Sequence, residues 1–162
     1  MTIVSNTSPL TNLAAIGQFN LLQMLYAQIH IAQGVWEELN AKGHHWPGCN
    51  EVAHAEWIQC HTVQNQTLVT LLRQDLDRGE AESIALATEL NANFILLDEK
   101  EGRRVAQRLG FKKIGIIGVL LEAKAKGVIE VIQPHLEALR QKAGFYVSES
   151  FYRSVLILAN EV

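Results

Sequence analysis

The chain has 162 residues, 48% hydrophobic and 19% charged, with 14 Lys and Arg against 17 Asp and Glu and a formal charge of −3. That length suits one domain, residues 1–162, with a substantial core, and the composition excludes disordered, collagenous and disulfide-stapled classes. No run approaches the roughly 18 apolar residues of a membrane span.

Met1-Thr2-Ile3-Val4-Ser5-Asn6 has neither the basic start nor the apolar core of a secretory leader and reads directly into a strand over Thr2–Ser5. With Cys49 and Cys60 as its two cysteines, the chain is expected in a reducing, cytoplasmic setting, with no membrane partner. Helical patterning follows from Pro9 to Ile16, stopped by Gly17, and again over Phe19–Tyr26. Gln28–Ala32 reads as a strand, Val35–Lys42 as a helix ended by Gly43, and residues 43–48 as a loop on the strength of Gly43, Pro47 and Gly48. A helix over Glu51–Glu56 and a strand over Trp57–Val63 close the first half.

Glu80–Asn91 is a helix rich in Ala, Leu and Ile, and Asn93–Leu97 is a short apolar run of the kind that is buried on both faces of a parallel sheet. Lys100–Leu109 reads as a basic helix, Lys113–Ile117 as a strand and Val119–Lys126 as a helix closed by Gly127. Two further helices are expected near Pro134–Lys142 and Ser148–Ala159, the latter offering Phe151, Val155, Leu156 and Leu158 to the core or to a second copy. Strands alternating with helices imply an α/β fold in three α/β/α layers around a short parallel sheet of four to five strands. Ligands of such folds bind beyond the carboxyl ends of the strands.

Polar groups collect at those ends. Asn6 follows the first strand, Asp98 and Glu99 follow the 93–97 strand, Glu80 and Glu82 open a helix, and Glu37 and Glu38 lie on the helix after the second strand. Oxygen ligands gathered from several elements suit Mg²⁺ or Mn²⁺, which assist phosphodiester hydrolysis. Each acid also has a simpler role, as a helix cap or a solvated surface group. Charge is uneven too: Lys42 is the single cation of residues 1–72, whereas residues 100–113 carry six cations against Glu101 alone, a distribution that steers polyanions. Trp36, Trp46 and Phe111 are candidates for stacking bases, although aromatics more commonly serve the core. His44, His45, Cys49, His54, Cys60 and His61 are dense but lack zinc-ligand spacing. Phosphate-loop, dinucleotide and serine-esterase motifs do not occur. A response-regulator-like phosphoacceptor would need an acidic pair after the first strand, where the chain has Asn6-Thr7.

Three patches in order carry a resemblance: Val4-Ser5-Asn6-Thr7-Ser8-Pro9-Leu10; Gly79-Glu80-Ala81-Glu82-Ser83-Ile84-Ala85-Leu86-Ala87; and Leu96-Leu97-Asp98-Glu99-Lys100-Glu101-Gly102-Arg103-Arg104-Val105-Ala106. With them the chain resembles the PIN-domain superfamily of VapC-toxin-like, metal-dependent ribonucleases, over nearly its whole length through Gly115–Leu121 and Gly144-Phe145. The resemblance implies an acidic Mg²⁺ or Mn²⁺ pocket, an RNA substrate, a small antitoxin protein as partner and a homodimer. It places Asn6, Glu38, Glu80 and Asp98 at the four metal and catalytic positions, with Glu82 and Glu99 as alternates one short alignment shift away. Ser8 stands beside the first position, and Lys100, Arg103 and Arg104 would hold RNA phosphates. Family members carry Asp where this chain has Asn6, whose amide oxygen coordinates cations without adding charge. The alternative to an enzyme is therefore a catalytically degenerate PIN-like module that binds RNA or protein.

Overall fold

A computed structural model describes residues 1–162. In chain order the elements are β1 (Ile3–Ser5), α1 (Thr7–Ala15), α2 (Leu21–Tyr26), β2 (Ile29–Ala32), α3 (Gln33–Lys42), α4 (Cys49–His54), β3 (Ile58–His61) and α5 (Gln66–Leu72). There follow α6 (Arg78–Leu90), β4 (Phe94–Leu96), α7 (Lys100–Arg108), β5 (Lys112–Ile114), α8 (Ile116–Ala125), α9 (Gln133–Gln141) and α10 (Glu149–Leu158). The five strands form one wholly parallel sheet in the order β3-β2-β1-β4-β5. This is the parallel α/β architecture expected from the alternation of elements.

Strand periodicity divides the interior into two cores. Ile3, Ile29, Ile31, Phe94 and Leu96 point to the larger one, packed by α1, α2, α3, α8, α9 and α10. Val4, Ala32, Ile95 and Leu97 point the other way, against Val69 of α5, Ile84 and Leu86 of α6, and Val105 of α7. Tyr152, Val155 and Leu156 fasten α10 to the larger core, leaving Ile157 and Leu158 outward. Tyr26 donates to Glu122 Oε2 at 2.6 Å, tying α2 to α8.

Two elements differ from the sequence expectation. Helix α5 lies outside the expected elements: it is a seven-residue piece capped by Asn65, whose side chain accepts from the Leu68 amide at 3.0 Å, and only Val69 of it is buried. The strand expected over Lys113–Ile117 ends at Ile114. Gly115 is extended, and Ile116 and Ile117 open α8, because Asp98 Oδ1 accepts the Ile116 amide at 2.8 Å and starts that helix.

Strand order places the switch point between β1 and β4. From β1 the chain moves outward to β2 and β3, then returns to the other side of β1 as β4. The Asn6 amide extends the pairing by donating to the Leu96 carbonyl at 3.0 Å, so the residues after both strands emerge side by side.

Candidate acidic metal and nucleic-acid site

Three helices begin at this point. Asn6 is the N-cap of α1, Glu99 the N-cap of α7 and Asp77 the N-cap of α6. Unpaired amides at helix starts favour negative charge nearby, which offsets part of the repulsion among the acids gathered there.

A cavity of about 150 Å³ opens among Asn6, Thr7, Ser8, Thr11, Glu38, Lys42, Trp46, Asp77 and Glu99. At the N-cap position the Asn6 side chain makes no capping bond; its Oδ1 is buried without a hydrogen-bond partner, as is Ser8 Oγ beside it. Thr7 donates its hydroxyl to Glu38 Oε2 at 2.8 Å, which fixes one carboxylate oxygen of α3 over the end of β1. Gly79 makes room for the cluster. A methyl there would lie 2.9 Å from Glu38 Oε2, 3.4 Å from Asn6 Oδ1 and 3.6 Å from Asp77 Oδ1. Three oxygens thus surround one point that a larger residue would fill.

Glu80 lies behind this cavity. Its amide donates to Asp77 Oδ1 at 2.8 Å while its Oε1 accepts the Asp77 amide at 3.3 Å, a reciprocal capping box at the start of α6. Its Oε2 approaches α7 where only a glycine fits, 2.8 Å from the position a Cβ of Gly102 would take. Burial, then the neighbouring Asp77 charge, and to a smaller degree that of Glu99, push the Glu80 carboxyl up to about 7.

The structure therefore brings Asn6, Glu38 and Ser8 to one cavity, with Glu80 immediately behind it, and it adds Asp77, which sequence reasoning missed. Of the alternates, Glu99 lines the cavity with a side chain free of any capping bond. Asp98 does not join them. Its carboxylate lines a different cavity with Arg103 and Gly115, where Oδ1 lies against Gly115 and starts α8 while Oδ2 is buried and unpartnered. Burial pushes the Asp98 carboxyl up to about 6, against the opposing pull of the Ile116 amide and Arg103. Glu82 is also elsewhere: its carboxylate accepts the Gly34 amide at 3.0 Å and Arg78 Nε at 2.6 Å, joining α6 to the start of α3. Arg78 spans from Glu82 to Glu37, and Arg78 and Glu37 line an adjoining cavity of about 410 Å³ with Gly34, Glu38, Asp77 and Gly79.

The basic helix splits by role. Arg103 donates to the Leu97 carbonyl at 3.0 Å and so braces the turn after β4, while Arg104 pairs with Glu101 at 3.0 Å on the exposed face that Lys100 begins. Trp36 packs against the larger core and Phe111 against the smaller, whereas Trp46 lines the acidic cavity with 43% of its surface exposed. The Lys42 ammonium lies 5.0 Å from the centre of the Trp46 ring.

The oxygen-only donor set suits a hard divalent cation, and the unpartnered Asn6 Oδ1 beside Glu38 and Asp77 fits one. No three acidic, histidine or cysteine side chains lie close enough together to hold a metal ion by themselves. Such a cation would thus keep several of its waters, as Mg²⁺ does.

No helix is long and apolar enough to cross a membrane. No curated protein matches the sequence. The family model DUF3368, described as a PIN domain, matches residues 2–161, and with the parallel sheet and the acidic cavity at its switch point the chain belongs to the PIN-domain family, a nuclease-type fold.

Proposed function

We propose that residues 1–162 act as one domain, a metal-dependent endoribonuclease of the VapC type that hydrolyses RNA phosphodiesters. The observation that carries this reading is the set of three oxygens, Asn6 Oδ1, Glu38 Oε2 and Asp77 Oδ1, around the empty side-chain position of Gly79. Glu38, Asp77 and Asn6 would hold Mg²⁺ or Mn²⁺, with Glu99 across the cavity and Glu80 behind it. When bound, such a cation polarises the phosphodiester and makes a water more acidic. Thr7 orients Glu38 by its hydroxyl, and the capping box orients Asp77 by the Glu80 amide. Burial and the neighbouring Asp77 charge keep Glu80 partly protonated near neutrality. Lys100 and Arg104 face solvent next to Glu99 and would position RNA phosphates, with Arg103 as the brace beneath them.

In this reading the protein is the toxin of a toxin–antitoxin pair, a cytoplasmic homodimer held by a small antitoxin protein. Isothermal titration of Mn²⁺ into the native protein, beside metal-dependent cleavage of a mixed RNA pool, tests the site. Saturable binding and cleavage should both disappear in the Glu38→Gln, Asp77→Asn double variant. A folded native chain that binds no Mn²⁺ and leaves RNA intact would overturn the enzyme reading.

Asn6 favours a second reading, a degenerate PIN module that binds RNA or protein without cutting it. One carboxylate fewer lowers the charge available to hold a cation. Cleavage that arises only in Asn6→Asp would establish this reading.

A further inference from the structure

Lys42 is the single cation of the first 72 residues, and it lies on the same helix face as Glu38, four residues earlier. It makes no ion pair with that carboxylate. Its ammonium lies instead over the indole of Trp46, and both side chains border the acidic cavity. The loop that presents Trp46 is shaped by glycines at both ends, with φ of 93° at Gly43 and 96° at Gly48, conformations that side chains with a Cβ rarely adopt. Below it, Gly48 is packed against Leu39 and Thr11, so the base of the loop is anchored to α3 and α1. Although Lys42 covers part of the ring, 43% of Trp46 remains open to solvent. Large aromatics elsewhere in the first half serve the core, as Phe19 and Trp57 do in a tilted pair with centroids 5.2 Å apart. Trp46 has no such partner.

We propose that Lys42 and Trp46 form a subsite for a single unpaired nucleotide beside the acidic cavity, with the indole stacking the base and the ammonium taking the adjoining phosphate. The inference rests on the ribonuclease reading and deepens it by making the substrate single-stranded at this position, since a paired base has no free face to offer. Acids alone repel the RNA backbone. A cation held beside the only exposed ring of the cavity lets a strand cross the rim while the carboxylates remain free for a metal ion.

The test is fluorescence anisotropy of a labelled single-stranded RNA of eight nucleotides with the full chain in EDTA, so that binding is read without cleavage. Trp46→Ala should weaken binding about 5- to 100-fold, and Trp46→Phe should restore most of it. Lys42→Gln should lower the slope of log affinity against log salt by about 0.7. Removing single bases from the RNA should reveal one position that matters to the native protein and not to Trp46→Ala. Equal affinities for native protein and Trp46→Ala would overturn the subsite, even if the native protein cleaves RNA with Mn²⁺ and the ribonuclease reading stands. Conversely, Trp46-dependent binding without cleavage would keep the subsite and remove the ribonuclease reading. A native protein that neither binds nor cleaves RNA overturns both.

Discussion

Glu82 on α6 accepts the Gly34 amide at the start of α3, at 3.0 Å and with both partners buried. That bond fastens the helix carrying Glu38 to the helix carrying Asp77 and Glu80, so the two walls of the acidic cavity hold a fixed spacing. Removing the carboxylate leaves a buried amide without its partner and releases Arg78 as well. Glu82→Ala should destabilise the protein by about 2–3 kcal/mol in urea unfolding. The same variant should weaken Mn²⁺ binding, although Glu82 itself never reaches the cavity.

Gly79→Ala separates stability from metal binding. Gly79 is the second residue of α6, so the substitution gains only part of the about 1 kcal/mol of propensity that a helix interior would give. The new methyl, however, would stand 2.9 Å from Glu38 Oε2 and displace it from its place over β1. Thermal unfolding should leave Tm unchanged or raised while calorimetry shows Mn²⁺ affinity reduced at least about tenfold, the loss expected when a ligand shifts out of position.

Asp98 and Glu99 are adjacent in sequence and should behave as unrelated residues. Asp98→Ala deprives the Ile116 amide of its cap and should cost about 1–2 kcal/mol of stability. Glu99→Gln should leave stability within about 0.5 kcal/mol, since its side chain caps nothing, and should remove RNA cleavage or Mn²⁺ binding. Loss of Mn²⁺ binding by a folded Asp98→Asn, with Glu99→Gln unaffected, would reverse the assignment.

Burial pushes the carboxyls of Glu80 and Asp98 up, to about 7 and about 6. A folded state that holds its proton more tightly than the unfolded chain is most favoured below the unfolded value, and that advantage is lost as pH rises through the folded value. In EDTA the native protein should therefore lose stability across about pH 4 to 7 from these two groups. Glu80→Gln should flatten the upper part of that profile. Mn²⁺ should restore stability most strongly at the alkaline end, where Glu80 is ionised and the cation meets the greatest negative charge.

The fold was largely legible because its strands are short apolar runs separated by helical patterning, and the strand residues Ile3, Val4, Phe94 and Ile95 alternate between two cores. Helix α5 was not legible: seven residues with one buried side chain give too little periodicity. The run Ile114-Gly115-Ile116-Ile117 has no period that separates strand from helix, and a long-range bond from Asp98 decides it. In the site, Asn6 and Glu38 could be identified by position after strands. Asp77 was hidden because Asp-x-x-Glu before an apolar run signals a capping box, and it is one as well as a wall of the cavity. Its position two residues before the resemblance patch that begins at Gly79 was the available signal. Between Asp98 and Glu99, sequence spacing cannot tell which side chain turns to which side of the chain. The unlike surroundings of the two residues, with Asp98 drawn to the start of α8, settle it.

The bond from the Asn6 amide to the Leu96 carbonyl has a consequence for synthesis of the chain. Asn6 leaves the ribosome about 90 residues ahead of the strand that anchors it and of Glu99, which faces it. At about 5–20 residues per second, this is a delay of roughly 5–20 s. Throughout that interval β1 lacks its neighbour on one edge, and the cavity lacks a wall. A nascent chain with RNA all around it thus cannot close its acidic site until β4 has docked, and that order follows from the strand sequence alone.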